Sequence, residues 1–124
     1  MKLLLDTHVV LWWVRDDRRL KRQAREAIAT AEVVWVSAAT AVEAAIKESQ
    51  RKLRLNEPLH VTVTTDGFTE LPLTFQHAAA LADLPFHHTD PFDRMLIAQA
   101  RVERATIVTH DRALEPYGVP IIWT

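Results

Sequence analysis

Apolar residues fall along the chain in two alternating patterns: short β-branched or leucine-rich runs, and longer stretches with helical spacing. Lys2-Leu3-Leu4-Leu5 is a compact apolar run and predicts a buried strand. Asp6-Thr7-His8 then leads into a helix over Val9–Val14, a polar loop covers Arg15–Arg19, and Leu20–Thr30 reads as a second helix. Its buried side is Leu20, Ala24, Ala27, Ile28 and Ala31. Val33–Val36 predicts another strand, closed by Ser37 as the N-cap of a helix from about Ala38 to Gln50. In that helix Ala39, Val42, Ile46 and Ser49 share the expected buried face, and Glu43 borders it. The segment 57–66 is ambiguous: Val61 and Val63 alternate with threonines as in a strand, but Pro58 suits a short helix. Phe68–Leu73 reads as a strand, Phe75–Leu84 as a helix stopped by Pro85, Ala105–Thr109 as a strand, and Val119–Trp123 as the last strand.

The clearest helix start is Asp90-Pro91-Phe92-Asp93, with an N-cap aspartate and a proline whose missing N–H costs nothing. Asp93, Leu96, Ile97 and Ala100 then follow one face, with Arg94 and Arg101 on another. A carboxylate in line with an apolar stripe requires compensation, whereas Asp90 has a sufficient role as a cap. Strands alternating with helices predict an α/β fold with a mainly parallel sheet. In such a sheet Asp6 and Asp111, each just past a strand, approach one another at the carboxyl edge, where ligands bind. Glu43 and Asp93, each early in a helix, are placed to join them. The plain alternatives are that Asp6 caps a helix and that Glu43 pairs with Lys47 four residues on. Several acids at one spot repel unless a hard cation neutralises them, and all-oxygen ligands suit Mg²⁺ or Mn²⁺.

Composition narrows the classes. A chain of 124 residues, 48% apolar and 25% charged, is of single-domain length and ordinary globular usage. The absence of cysteine excludes disulfides and thiolate–metal sites and suits a reducing cytoplasm. The apolar start, Met1–Leu5, is too short for a signal peptide or membrane span. A net charge of −1 advertises no nucleic-acid binder, so any basic surface must come from local segregation. Lys47, Arg94, Arg112 and the patch from Arg51 to Arg54 are the candidate phosphate contacts. His87 and His88 are adjacent and so cannot readily address one ion, and Trp12, Trp13 and Trp35 read as core or subunit interface.

Four segments carry a resemblance. Leu4-Leu5-Asp6-Thr7-His8, Ser37 to Glu43, His88-Thr89-Asp90-Pro91-Phe92-Asp93-Arg94-Met95-Leu96-Ile97-Ala98-Gln99-Ala100, and Ile107-Val108-Thr109-His110-Asp111 resemble the PIN-domain family. More closely, they look like its VapC-type toxin ribonucleases. The resemblance spans the chain and implies one PIN domain over residues 1–124, with a Rossmann-like α/β/α sandwich. It implies Mg²⁺- or Mn²⁺-dependent cleavage of RNA, with Asp6, Glu43, Asp93 and Asp111 as the catalytic and metal-binding quartet. Asp90 is then an accessory neighbour, and Thr109 matches the family's hydroxyl residue beside the last acid. It also implies an antitoxin partner encoded next door and a homodimer, for which the apolar face of Trp12 and Trp13 is a candidate surface. The segment 57–66 departs from the family pattern by lacking an apolar helix stripe. Two alternatives within the fold are a PIN nuclease of RNA processing and a catalytically silent Mg²⁺-binding module. A response-regulator receiver is disfavoured, because the second strand ends in Ser37 rather than an aspartate.

Overall fold

A computed structural model describes all 124 residues. Five strands form one sheet: β1 (Lys2–Leu5), β2 (Val33–Ser37), β3 (Thr69–Leu71), β4 (Thr106–Thr109) and β5 (Ile121–Trp123). Their spatial order is β3-β2-β1-β4-β5, and every neighbouring pair is parallel. Six helices connect them: α1 (Thr7–Val14), α2 (Arg22–Thr30), α3 (Ala38–Ser49), α4 (Leu59–Thr65), α5 (Phe75–Ala82) and α6 (Pro91–Glu103). A 3-10 turn over Arg112–Tyr117 leads into β5. The expected α/β/α sandwich with a parallel sheet is therefore observed.

Both faces of the sheet are covered, which is why its strands are continuously apolar. Leu3 and Leu5 of β1 point into one core with Val9, Val10 and Trp12 of α1, Ala24 and Ile28 of α2, and Val63 of α4. Leu4, one residue out of phase, points into the other with Leu96, Ile97 and Ala100 of α6, Ile107 and Leu114. The chain builds outwards from β1 to β3 and then crosses back to β4. The reversal point lies between β1 and β4, so the crevice there opens at Asp6 and His110-Asp111.

The expected buried face of α3 is corrected, and two readings that the sequence leaves open are resolved. In α3 the buried residues are Ala39, Thr40 and Ala44, while Val42 and Ile46 are 49% and 42% exposed. The helix lies close against its neighbours through small side chains, and that turns the larger aliphatics outward. Segment 57–66 resolves as a helix, with Pro58 as its N-cap residue and Thr62 and Val63 buried. The tryptophans offer no free apolar face at the first helix: Trp12 is buried, and the half-buried Trp13 directs its indole N–H to Asp66 at 2.9 Å. The exposed large apolar residues are instead Phe75, Phe86 and Met1, with Leu73, Val42, Ile46 and Val61 less so. No helix is long and apolar enough to cross a membrane.

Candidate active site

The carboxyl edge of the sheet is stitched together by buried polar bonds, each joining a different pair of elements. Asp6 caps α1, accepting from the His8 backbone N–H at 2.9 Å, and its other oxygen accepts from the Thr109 hydroxyl at 2.5 Å. Thr109 ends β4, so the bond ties the first strand's exit to the fourth's. The Thr7 and Thr40 hydroxyls meet at 3.1 Å and join the first turns of α1 and α3. Ser37 caps α3 and donates to Gln99 of α6 at 2.5 Å, while the Gln99 amide donates to the Pro72 carbonyl. Helices α1 and α3, which carry Asp6 at the cap and Glu43 in the second turn, and α6, which carries Asp93, are thus fixed relative to one another.

Within that frame Asp93 is the strained member. Its carboxyl is pushed up to about 7, first by burial and then by the negative charges of Asp6, Asp90, Asp111 and Glu43. Asp6 behaves oppositely. Burial alone would raise its pKa, yet the contacts from His8 and Thr109 outweigh burial and hold it below the ordinary carboxylate range. His8 is raised by the Asp6 carboxylate beside it, against the opposing effect of partial burial. Glu43 is mostly shielded and pairs with Lys47 at 3.4 Å, so the expected i, i+4 pair exists, but on the cleft side. Asp111 caps the 3-10 turn by accepting from Ala113 N–H at 2.9 Å, and its own N–H donates to the Thr109 hydroxyl. Asp90 accepts from the N–H groups of Phe92 and Asp93, at 2.9 and 3.2 Å. It contributes its charge to the cleft while its side chain serves as the cap.

Arg94 is a correction. It is only 5% exposed, its guanidinium donates to the Pro85 and Leu84 carbonyls and the Tyr117 hydroxyl, and Phe86 stacks over it at 4.0 Å. It braces the loop before α6 and is not available to a phosphate. The patch from Arg51 to Arg54 gathers with Arg15 at the far ends of α3 and α1. It therefore lies one helix length from the acids, roughly 12–18 Å at 1.5 Å per residue. Arg112 is exposed beside Asp111, 3.8 Å from Glu115 and 4.0 Å over the Trp123 ring.

Histidines set aside in the sequence prove to be part of the surroundings. His88 Nε2 stands 3.3 Å from Asp93 Oδ2, while its Nδ1 is 2.7 Å from the Tyr117 hydroxyl. That hydroxyl accepts from Arg94 at 3.1 Å and from the His88 backbone N–H at 3.3 Å, which fills both lone pairs, so its own proton goes to His88 Nδ1 and the Nε2 proton faces Asp93. His8 and His110 pack edge to face at 5.2 Å beside Asp6. None of these roles has a local signature, except that Asp6 and His8 are two residues apart at a helix start.

A partly buried, mutually repelling set of carboxylates fits a divalent cation. The donors are hard oxygens, and the raised Asp93 carboxyl reflects its burial together with the neighbouring negative charges. A parallel five-stranded sheet with acids from β1, α3, α6 and β4 at its carboxyl edge defines a PIN-type protein. The model of the PIN domain family matches residues 3–119, and the chain belongs to that family. Among its relatives is Ribonuclease VapC22 of Mycobacterium tuberculosis, 31% identical over 121 residues, or 95% of this chain and 93% of that protein. Similar solved structures include VapBC2 from Rickettsia felis bound to a promoter DNA fragment, with TM-score 0.74, 14% identity, and coverage of 98% and 96%. DNA-bound VapBC from Salmonella typhimurium gives TM-score 0.71 at 18% identity, with coverage of 98% and 97%. FitAcB from Neisseria gonorrhoeae gives 0.67 at 20% identity, covering 97% and 96%.

Proposed function

We propose that residues 1–124 act as one PIN domain, a Mg²⁺- or Mn²⁺-dependent endoribonuclease that serves as the toxin of a toxin–antitoxin pair. The observation that carries the nuclease reading is the gathering of acids at one edge of the sheet, where the half-buried Asp93 feels the charges of Asp6, Asp90, Asp111 and Glu43. Likeness to a VapC ribonuclease over 95% of the chain supports the substrate class and the toxin role. Asp6, Glu43, Asp93 and Asp111 would hold the cation, with Asp90 adding charge at the rim. Bound there, it would make water a better nucleophile and neutralise charge growing on the scissile phosphate. One of these carboxylates would also orient the attacking water or accept its proton, and His88 steadies Asp93 Oδ2. Asp6, kept ionised and held by Thr109, is the fixed negative charge of the site. Lys47, paired with Glu43, and Arg112, next to Asp111, are the cations we assign to the RNA phosphates. Attack by water leaves a 5′-phosphate and a 3′-hydroxyl.

The partner is an antitoxin from the adjacent gene, whose inhibiting segment carries an Arg or Lys for the acids, or an acid for Arg112. The exposed Phe75, Phe86 and Val42/Ile46 positions are the apolar surfaces left for it or for a second copy in a homodimer. The test is cleavage of single-stranded RNA by purified protein with Mg²⁺ or Mn²⁺, with EDTA, and in Asp6→Asn and Asp93→Asn variants. We expect EDTA to abolish cleavage and each substitution to reduce it at least about 100-fold, equivalent to roughly 2.7 kcal/mol of lost barrier reduction. Unchanged turnover in both folded variants would refute the site. Cleavage without growth arrest, and unaffected by the neighbouring gene product, would replace the toxin by a PIN nuclease of RNA processing. No cleavage of any RNA would leave a silent Mg²⁺-binding module.

A further inference from the structure

Asp6 faces two ways. One side looks to the acids; the other looks to His8, at the second position of α1, and to His110, directly after β4. One ligand atom from each of Asp6, His8 and His110 lies within 4.8 Å of the others. The carboxylate is buried and oriented by Thr109 and the His8 backbone, while both imidazoles are solvent-exposed. Trp12 forms a wall behind the two rings, with centroids 6.2 Å from His8 and 4.7 Å from His110.

We propose that His8 and His110, with Asp6, form a mixed nitrogen–oxygen site for a first-row transition-metal cation at the rim of the acidic cleft. The proposal rests on the reading of Asp6 as a metal ligand. His8 Nδ1 and Asp6 Oδ1 are 3.8 Å apart, too far for a hydrogen bond. Two donors bound to one cation at about 2.0–2.2 Å each stand roughly 3–4 Å apart, so the observed gap fits a shared ion without backbone movement. The His110 ligand atom lies within 4.8 Å of the other two, and its exposed ring can turn toward them. The other partly or wholly buried histidines are committed elsewhere: His77 Nε2 to Glu103 at 2.7 Å, and His88 to Tyr117 and Asp93. Imidazole favours Zn²⁺, Co²⁺, Ni²⁺ or Fe²⁺ over Mg²⁺, and two imidazoles with one carboxylate leave positions open for water or a phosphate oxygen. The acid-rich side of the cleft then keeps its preference for a hard ion, while this rim selects a borderline one.

The test is Co²⁺ titration of the metal-free full-length protein, followed by visible d–d absorption. His8→Gln and His110→Gln, both on the surface, should keep the wild-type melting temperature yet bind Co²⁺ at least tenfold more weakly. In the wild-type protein, substoichiometric Zn²⁺, which is diamagnetic, should shift the His8 and His110 ring resonances and leave those of His60 in place. Co²⁺ affinity unchanged in both variants overturns the proposal. So does Co²⁺ binding that Asp93→Asn abolishes while the His8 and His110 resonances stay unshifted under Zn²⁺. Mg²⁺-dependent RNA cleavage with histidine-independent Co²⁺ binding removes this site and leaves the nuclease reading. Histidine-dependent Co²⁺ binding without any RNA cleavage does the reverse.

Discussion

Asp93 is the residue on which stability and chemistry pull in opposite directions. Its carboxyl titrates near 7 in the fold against 3.8 in an unfolded chain. Below about pH 4 both states hold the proton. As pH rises from there to about 7 the unfolded state releases it first, so the metal-free native state loses stability over that window and levels off above it. Asp93→Asn removes that penalty. Allowing for its partial exposure, we expect a gain of about 1–2 kcal/mol at pH 8, a melting temperature higher by several degrees, and a flatter pH profile. Calorimetry of the metal-free variant between pH 4 and 8 checks this; a lowered melting temperature at pH 8 would contradict it. Arg94 is the opposite case, a charge whose partners are all inside the protein. Arg94→Ala strands the Pro85 and Leu84 carbonyls and should cost about 2–4 kcal/mol, read in urea unfolding. RNA affinity of the folded fraction should be unaltered, which a phosphate-binding arginine would not allow.

Helix starts do much of the positioning at the scale of elements. Asp6, Ser37, Thr74, Asp90 and Asp111 all cap helices or turns with their side chains. Asp6 and Asp111 do so while also facing the cleft. Asp90 has the cap as its main work, so Asp90→Ser should retain stability within about 0.5 kcal/mol and most of the cleavage activity. Asp90→Ala should lose about 1 kcal/mol of stability. A fall in activity for Asp90→Ser as deep as for Asp93→Asn, with the fold intact, would make Asp90 a ligand. Helix α6 is buried nearly all round its middle, with Arg94, Leu96, Ile97, Ala98, Gln99 and Ala100 inside. Its polar members are tolerated because Gln99 is bonded to Ser37 and Pro72 and Arg94 to the loop before it.

For the whole molecule, the parallel sheet concentrates negative charge on one edge and leaves the cluster around Arg15, Arg51, Lys52 and Arg54 at the other. A net charge of −1 therefore conceals a polar distribution. Divalent cations should stabilise the native state by mass action, and more strongly once Asp93 is ionised. We expect 10 mM Mg²⁺ to raise the melting temperature at pH 8 and to do markedly less at pH 5.5, with Asp93→Asn reducing the effect at pH 8. An equal Mg²⁺ effect at both pH values would separate the ion from Asp93.

Alternating apolar strands and helix periods are local properties, and they were enough to determine the α/β class, the five strands and the helix that starts at Asp90. Asp6 and Asp111 were legible because each follows a strand, and the parallel rule brings strand ends to one edge. Segment 57–66 was not decidable, since threonines and valines serve a strand as well as a short helix packed on Phe68 and β3. Which face of α3 turns inward depended on the space left by its neighbours, and Ala44 fitted where Val42 and Ile46 did not. Arg94 looked like a surface cation because its partners, Pro85 and Tyr117, lie 9 and 23 residues away. The same holds for His88 beside Tyr117, for Ser37 on Gln99 across 62 residues, and for His8 meeting His110. Sequence periodicity records what a residue does for its own element. Hydrogen bonds and ring contacts between distant elements exist only once packing has set their distances, so the tertiary structure alone decided which polar side chains surround the acids.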